Sequence, residues 1–427
     1  MAQMKLPHLL LLLLVVFPSF SSAKISVLPL RFASKQAEKL IRELNLFPKE
    51  SDNIVDRDPF QTDDEGSRIV EKRFSFPNLA NSSVSFEDLG HHAGYYKIKH
   101  SHAASSELAL FYENGPFSIS KKLSLAPNEY GWDKKKACAQ AMVAVYLLAF
   151  YSMVQLDCNK TFSCFYSVIY ESTGFSYSSD RPDLCHTETC VSDDLYDFIQ
   201  AFFEEHPELV KNDFYITGES YAGHYIPAFA ARVHKGNKGK EGTHINLKGF
   251  AIGNGLTDPK IQYPAYTDYA LDMGLISKST HDRINKLIPV CEVAVNLCGT
   301  DGKVSCLAAY FVCNSIFTAV RASAGVEINA LLVDWMRNSE VGIPTLLEDG
   351  IKLPVYAGEY DLICNWLGNS RWVQAMELKG QKEFVASTEV PFEVSGSEAG
   401  LLRSHGPLSF LKVHDDTWFQ WISLKLP

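Results

Sequence analysis

The clearest change of pattern along the chain lies near residue 220, where a strand-like run is followed at once by a helix-like run. Residues 214–217 are aromatic or β-branched, which is typical of a buried strand. Residues 225–233 have the composition of a helix, and we expect Pro227 to lie in its first turn, where proline is tolerated. The short turn between the runs is bounded by glycines, so the pattern predicts a sharp strand-to-helix connection.

A second helix is predicted over residues 191–209, because its apolar side chains recur at helical spacing. The side chains that we expect to face the core are Leu195, Phe198, Ile199, Phe202 and Phe203. Ser192 or Asp193 can cap the start of this helix. Strands are also predicted over residues 245–255, ending in a tight turn, and over residues 352–357.

The N-terminal end has the pattern of a secretory leader. Residues 1–23 combine Lys5, an apolar core and a stretch of small residues, which predicts a signal peptide rather than a membrane anchor. Residues 24–88 are largely charged and polar, and we interpret them as a propeptide-like segment, with a tail of no particular role as the alternative. A secreted chain can be glycosylated, and Asn81 and Asn159 begin Asn-x-Ser/Thr sequences.

Cysteine is frequent for a chain of this size. The 427 residues include 10 cysteines, which suits the oxidising compartment implied by a signal peptide. Four of them lie close together, at Cys291, Cys298, Cys306 and Cys313. Their spacing is irregular for a zinc site and no paired histidines accompany them, so we expect disulfides, with the pairing left open.

The turn at residues 218–223 carries the candidate chemistry. Its sequence Gly-Glu-Ser-Tyr-Ala-Gly fits the G-x-S-x-G nucleophile elbow with alanine at the second glycine position, and small neighbours let the chain turn sharply there. Ser220 would then stand at the positive end of the following helix, where an oxyanion is stabilised. The alternative is an ordinary strand-to-helix turn, since glycine and serine are common in loops.

The wider sequence resembles the serine carboxypeptidase family and, within it, the plant type III group. The likeness rests on four blocks, at residues 113–117, 218–227, 252–259 and 356–369. The resemblance implies an α/β-hydrolase fold over residues 89–427, in which helices flank a central mixed sheet. It also implies a helical insertion over the active site at about residues 258–342.

The same resemblance implies a reaction and a catalytic set. The reaction is that of a serine-type carboxypeptidase, which releases C-terminal amino acids from peptides and proteins through an acyl-enzyme. Ser220 matches the nucleophile, and Asp361 matches the acid that orients the base. The backbone N–H of Tyr221 matches one donor of the oxyanion hole.

Three further residues match substrate-binding positions of the family. Glu219 and Glu113 match the carboxyl pair that binds the terminal carboxylate of the substrate, since one of two close carboxyls stays protonated and donates to an anion. Cys364 matches a position near the pocket for the substrate side chain. The alternatives are structural roles, as hydrogen-bonding glutamates and a buried free thiol.

The chain departs from the family pattern in several places. The Gly-Gly-Pro-Gly-Cys-Ser-Ser loop that supplies half of the oxyanion hole is absent together with a core strand, where residues 99–104 run directly into residue 105. Residues 134–169 stand in place of a family strand, and a further stretch is absent around residues 318–329. The catalytic histidine of the family has no counterpart, because His405 and His414 match non-catalytic positions.

The replaced segment and the missing groups leave two alternatives open. Residues 137–156 carry no charge and are long enough to span a bilayer. The family likeness stops and restarts abruptly at both edges, which favours altered splicing, so we expect no membrane span there. The alternative function is a catalytically inactive paralogue or mis-spliced form that binds peptide C-termini.

Charge and family resemblance together indicate the partners. The net charge of −10 argues against a nucleic-acid-binding protein. The resemblance implies peptide or protein substrates, no cofactor and no metal, with a homodimer as one assembly found in the family. It places the protein in the secretory pathway, ending in the vacuole or outside the cell.

Overall fold

The computed structural model describes residues 185, 187–299, 304–324, 336–394 and 396–414, and it describes strands between residues 69 and 178 by their backbone. The expected signal peptide and most of the expected propeptide lie outside the described residues, as do Asn81, Glu113 and Asn159.

The described strands are β1 (Ile69–Arg73), β2 (His92–Lys97), β3 (Ala103–Glu107), β4 (Phe117–Ile119), β5 (Leu125–Pro127), β6 (Ala139–Leu147), β7 (Phe150–Cys158), β8 (Phe165–Val168), β9 (Tyr177–Ser178), β10 (Asp213–Glu219), β11 (Leu247–Gly253), β12 (Leu353–Gly358), β13 (Val390–Val394), β14 (Ser397–His405) and β15 (Leu408–Val413). The described helices are α1 (Glu188–Glu205), α2 (Ala222–Gly239), α3 (Pro259–Asp272), α4 (Lys278–Ile284), α5 (Ile288–Cys298), α6 (Val304–Ala324), α7 (Ile343–Glu348), α8 (Trp366–Ala375) and α9 (Gln381–Ala386).

One mixed sheet runs through the part of the chain that the structure describes. Its order is β1-β2-β3-β8-β6-β7-β10-β11-β12-β15-β14-β13, with β9 beside β3. The strands β10, β11, β12 and β15 are parallel neighbours, whereas β14 and β13 follow as antiparallel neighbours. The carboxyl ends of the four parallel strands therefore meet at one edge of the sheet, which is where open α/β sheets bind ligands. The mixed sheet and its flanking helices confirm the predicted fold class.

Helix α1 packs its predicted face into the main core. The buried positions include all five that the periodicity predicted, namely Leu195, Phe198, Ile199, Phe202 and Phe203. The predicted start and cap are wrong: the helix begins at Glu188, and the side chain of Thr187 accepts a hydrogen bond from the N–H of Cys190 at 3.3 Å. The apolar period begins later than the helix, and it therefore gives no signal for the first turn.

Helix α2 is longer than predicted at both ends. It begins at Ala222, directly after the elbow, and ends where Lys240 takes a left-handed conformation with φ 55°. Pro227 therefore lies inside the helix rather than in its first turn, and the prediction for it is wrong. Proline lacks the N–H that would bind the carbonyl of Gly223, so the helix tolerates one missing bond next to the elbow.

Helices α3 to α7 lie between β11 and β12, in the range where the family resemblance implies a helical insertion. Its helices α3, α5 and α6 form a second core around Tyr263, Tyr266 and Ile316, distinct from the core of the sheet. Two disulfides, Cys291–Cys313 and Cys298–Cys306, join α5 to the region of α6. The expectation of disulfides is confirmed, and the structure supplies the pairing that the sequence left open. A third disulfide joins Cys185, which lies before α1, to Cys190 in the first turn of α1.

The strands described before residue 180 show two features that the sequence analysis did not predict. Strand β1 lies within the range expected to be a propeptide and pairs antiparallel with β2. Residues of the uncharged segment 137–156 form an antiparallel hairpin of β6 and β7, and β7 pairs antiparallel with β10. The segment that replaces a family strand is thus itself in the sheet.

By length and composition alone, one stretch of the described helices could cross a membrane. It is Ser305–Ser323 in α6, and 39% of it is buried. Core helices of soluble proteins have the same composition, and α6 carries two of the disulfide cysteines. Its composition is therefore weak evidence for a membrane span.

His281 of α4 links the helices of the insertion. Its Nε2 lies 2.9 Å from Asp268 Oδ1 on α3, and its Nδ1 lies 3.0 Å from Asp282 Oδ1. The hydrogen bonds that His281 donates to these two carboxylates raise its pKa, while burial and the charge of Lys278 oppose the rise. Asp268 also binds Arg371 of α8 at 2.7 Å. Burial favours a higher pKa for Asp268, but its bonds to His281 and Arg371 outweigh burial and lower it.

We expect this cluster to make the protein more stable at mildly acidic than at alkaline pH. The raised pKa of His281 stabilises the fold fully below its unfolded pKa of about 6.5, and this stability is lost as pH rises through the folded pKa. The lowered pKa of Asp268 acts at the acid end, where stability is lost as pH falls through it. His281→Gln should therefore flatten the fall in unfolding free energy between about pH 6 and about pH 8.5. Urea denaturation at both pH values measures this, with the exposed His244→Gln as control. An equally steep fall in His281→Gln would show that the cluster does not carry the dependence.

Candidate active site

Four polar residues lie where the parallel strands end. Ser220 follows β10, Asn254 follows β11, Asp361 lies just past β12, and His414 follows β15. Because these strands are parallel neighbours, all four residues belong to the same edge of the sheet.

The turn at Ser220 is sharp, as the sequence predicted, and its backbone is strained. Ser220 has φ 61°, in the left-handed region that non-glycine residues rarely adopt. Its N–H donates to Gly253 O at 3.0 Å, and its carbonyl accepts from Gly223 N at 3.0 Å and Leu256 N at 2.9 Å. These bonds fix the turn from both sides. Tyr221 is the N-cap of α2, so its backbone N–H lies at the positive end of the helix.

The carboxylate of Asp361 is buried and surrounded by donors. Its Oδ1 accepts from the backbone N–H of Ile363 at 2.7 Å and of Cys364 at 3.1 Å, and its Oδ2 accepts from Asn254 Nδ2 at 2.9 Å. Burial raises the pKa of Asp361, and the three hydrogen bonds to the ionised form oppose that rise. The donors therefore favour a charged carboxylate in a place where burial alone would neutralise it.

Cys364 connects Ser220 with the loop of Asp361. It is buried and is the free cysteine of the described chain. Its thiol lies beside the side chain of Ser220, while its backbone N–H donates to Asp361 Oδ1 at 3.1 Å. Burial raises the pKa of the Cys364 thiol well above its usual value, although the neighbouring Ser220 acts to lower it, so the thiol stays protonated. Ser220, the candidate nucleophile, and Asp361, the candidate acid, are therefore both neighbours of Cys364.

Glu219 lies beside Ser220 and is buried. Its Oε1 accepts from the hydroxyl of Tyr356 at 2.8 Å. A Cβ on Gly253 would lie 2.3 Å from the ring of Tyr356, so only glycine at that position leaves room for the tyrosine. Glu113, its expected partner, lies outside the described residues.

The three histidines of interest occupy different places. His405 pairs with Leu408 at the amino end of β15, which is the opposite edge of the sheet from Asp361. His414 follows the carboxyl end of β15, with its Nδ1 3.6 Å from Glu398 Oε1. His224 is buried, binds Leu256 O through Nδ1 at 2.5 Å and stacks on the ring of Tyr221. His224 thus braces the elbow from within α2.

Sequence reasoning missed several residues that shape the site. Asn254 and Tyr356 lie inside blocks that carried the family resemblance, which is the signal that could have singled them out. Tyr266 and Tyr269 of α3 donate from their hydroxyls to Ile363 O at 2.7 Å and Glu359 O at 2.8 Å, on either side of Asp361. No short motif marks these two tyrosines, because their partners lie 97 and 90 residues away.

The parallel strands, the elbow at Ser220 and the acid loop define an α/β-hydrolase. A solved structure supports this fold: the prohormone-processing carboxypeptidase Kex1(delta)p from Saccharomyces cerevisiae aligns with a TM-score of 0.57 and 18% identity, over 83% of this chain and 88% of that one.

The family follows from the sequence comparisons. A family model described as serine carboxypeptidase matches residues 171–308 and 319–417. Serine carboxypeptidase-like 49 of Arabidopsis thaliana is 52% identical over 458 residues, covering 90% of this chain and 84% of that protein. Serine carboxypeptidase 3 of Oryza sativa subsp. japonica is 49% identical, covering 95% of this chain and 90% of that protein. The chain belongs to the serine carboxypeptidase family, whose members are hydrolases.

The comparisons also bear on the expected departures from the family. The match to the family model begins at residue 171, just past the segment 134–169. The alignment with the Arabidopsis relative spans 458 residues, more than the 427 of this chain, so it includes gaps.

Proposed function

We propose that the chain is a serine-type carboxypeptidase that releases C-terminal amino acids from peptides and proteins. The observation that carries this proposal is the strained elbow at Ser220, beside the buried Asp361, in a chain of the serine carboxypeptidase family. The comparisons do not favour the alternative of a catalytically inactive form that binds peptide C-termini.

The proposed reaction proceeds through an acyl-enzyme. The hydroxyl of Ser220 attacks the carbonyl of the last peptide bond and gives its proton to a general base. The resulting oxyanion accepts a hydrogen bond from the N–H of Tyr221, at the positive end of α2. The tetrahedral intermediate then expels the C-terminal amino acid, whose nitrogen takes the proton. Water, activated by the same base, hydrolyses the ester on Ser220.

Glu219 is proposed to read the free carboxylate of the substrate. It is buried next to the nucleophile, and the Tyr356 hydroxyl holds one of its oxygens in place. A protonated carboxyl at this position donates to a substrate carboxylate, and Glu113 supplies the second carboxyl of the pair. The position of Cys364 against Ser220 supports its proposed place at the substrate side-chain pocket.

The general base is one of the points at which this chain is expected to depart from the family. Asp361 is proposed as the acid that orients the base. His414 follows β15 at the same edge of the sheet as Ser220 and Asp361 and is therefore a candidate for the base, whereas His405 lies at the opposite edge. His414 occupies the right edge but a non-catalytic position of the family motif, so the base needs a direct test.

A fluorophosphonate probe tests the proposed function, because it reacts only with an activated serine. The processed protein is labelled beside Ser220→Ala and His414→Gln, and it is incubated with one peptide as the free acid and as the C-terminal amide. We expect labelling that Ser220→Ala abolishes, and amino-acid release from the free acid alone. A folded wild-type protein that neither reacts nor releases amino acids would contradict the proposal. Loss of labelling in His414→Gln would identify the base, and retention would assign that role to another group.

The proposal includes the cellular location of the protein. The disulfides of the described residues suit the secretory pathway, and we propose the vacuole or the exterior as its destination. A homodimer is the proposed assembly, and peptides or proteins are its substrates.

A further inference from the structure

Asn254 is buried directly beside the candidate acid, although no motif position gave it a role. It is 2% exposed and has φ 39°, in the left-handed region where asparagine and glycine are the residues best tolerated. A strained, buried polar residue persists only when its surroundings hold it firmly. The hydrogen bonds of Asn254 therefore identify the groups that fix its position.

Three polar groups of Asn254 bind the strand and loop that carry Asp361, namely its backbone N–H and both ends of its side-chain amide. Its backbone N–H donates to Tyr356 O at 2.7 Å, and its Oδ1 accepts from the N–H of Gly358 at 3.2 Å. Its Nδ2 donates to Asp361 Oδ2 at 2.9 Å and approaches Cys364 O at 3.5 Å. Because Gly358 fixes the oxygen end of the amide, the nitrogen end can point only toward the carboxylate.

The residue before Asn254 binds the nucleophile. Gly253 O accepts from the N–H of Ser220 at 3.0 Å. The two consecutive residues 253 and 254 therefore connect the serine elbow to the acid loop through short hydrogen bonds. This connection sets the spacing that a base must bridge between the two groups.

We propose that Asn254 is a positioning residue of the catalytic set: its amide fixes Asp361 Oδ2 in direction and favours the ionised carboxylate that orients the base. This inference rests on the proposed function. Asp361 Oδ1 is already occupied by two backbone donors, so Oδ2 is the oxygen left to face the base. Oδ2 has one side-chain donor in the described structure, and Asn254 supplies it.

Two substitutions separate the roles of Asn254. Asn254→Gly keeps a residue that tolerates positive φ and removes the amide. Asn254→Asp keeps the shape but places an acceptor against Asp361 Oδ2, where like charges repel. Asn237→Gly is the matched control, because both ends of its amide are also bound, here by backbone: Nδ2 donates to Ile245 O at 2.7 Å and Oδ1 accepts from Ile245 N at 2.9 Å, away from the acid loop.

The experiment measures kcat and KM against pH for a free-acid peptide, together with thermal unfolding. In Asn254→Gly we expect kcat to fall about 10- to 100-fold with KM little changed, as for a lost bond to a charged group. Without the donor the pKa of Asp361 rises further, so the acid limb of the profile should move up by about one pH unit. Asn254→Asp should show a larger fall, and Asn237→Gly should lower stability without moving the limb.

The outcomes distinguish this inference from the proposed function. An active wild-type protein whose acid limb and kcat are unchanged in Asn254→Gly would overturn the positioning role alone. A folded wild-type protein without activity would overturn both. A second readout does not use activity: the difference in unfolding free energy between wild type and Asn254→Gly should change with pH in the range where Asp361 titrates. A difference that is constant with pH would likewise overturn the role of Asn254 toward the carboxylate.

Discussion

Replacement of Asp361 by asparagine should lower kcat/KM for a free-acid peptide by about 10⁴, the effect known when an acid that orients a catalytic base is changed to its amide. The reason lies in the donors around it. The oxygen of the new amide can accept from the N–H groups of Ile363 and Cys364, as Oδ1 does now. Its nitrogen then faces Asn254 Nδ2, so two donors meet at a distance where a hydrogen bond of 2.9 Å now lies. The new amide presents N–H, instead of an acceptor, to the base.

The measurement is steady-state release of the C-terminal amino acid, with fluorophosphonate labelling as a second readout. Asp349→Asn is the control, because Asp349 is a surface residue that binds Lys238 and His234 at 2.6 Å. It should keep wild-type kinetics. A wild-type kcat/KM in folded Asp361→Asn would remove Asp361 from the catalytic set.

Gly223→Ala should destabilise the folded protein by about 3 kcal/mol, at the upper end of the range for overpacking a tight site. A Cβ at position 223 would lie 2.5 Å from Leu256 O and 2.7 Å from Leu256 C and N, and all three are backbone atoms. Leu256 cannot move away freely, since its N–H donates to Ser220 O at 2.9 Å and its carbonyl binds His224. The same displacement would disturb the elbow, so activity should fall together with stability.

Helix α2 supplies its own control for this prediction. A Cβ at Gly239 would lie 3.1 Å from Glu241 Oε1, the far end of a flexible side chain. Gly239→Ala should therefore be neutral or stabilising by up to about 1 kcal/mol, as expected for alanine in place of glycine in a helix. Urea denaturation of both variants measures the difference. Equal unfolding free energies would mean that the contact with Leu256 is not tight.

Features that depend on neighbouring residues could be predicted from the sequence. The inward face of α1 follows from its helical period, and the turn at Ser220 follows from the glycines around it. The start of α1 was missed because Thr187 precedes the apolar period and has no periodic signal of its own. The errors in these helices lie at their ends, where the periodic pattern of apolar residues begins or stops.

Features that depend on distant contacts could not be predicted in this way. The bond from Asn254 to Asp361 joins residues 107 apart, and the bond from Tyr356 to Glu219 joins residues 137 apart. The pairing of Cys291 with Cys313 likewise needed the antiparallel packing of two helices. The hairpin of β6 and β7 is a further case, because an uncharged run fits a span, a buried helix or paired strands equally well.

The tyrosines of α3 have a consequence for how the protein loses activity. Tyr266 and Tyr269 belong to the insertion, yet their hydroxyls hold the two sides of the loop that carries Asp361. Partial opening of the insertion would therefore release the acid before the sheet unfolds. The disulfides Cys291–Cys313 and Cys298–Cys306 join α5 to α6 within the insertion, and so we expect them to limit its opening. We therefore expect a helical region outside the sheet to limit how long the loop of Asp361 keeps its folded position.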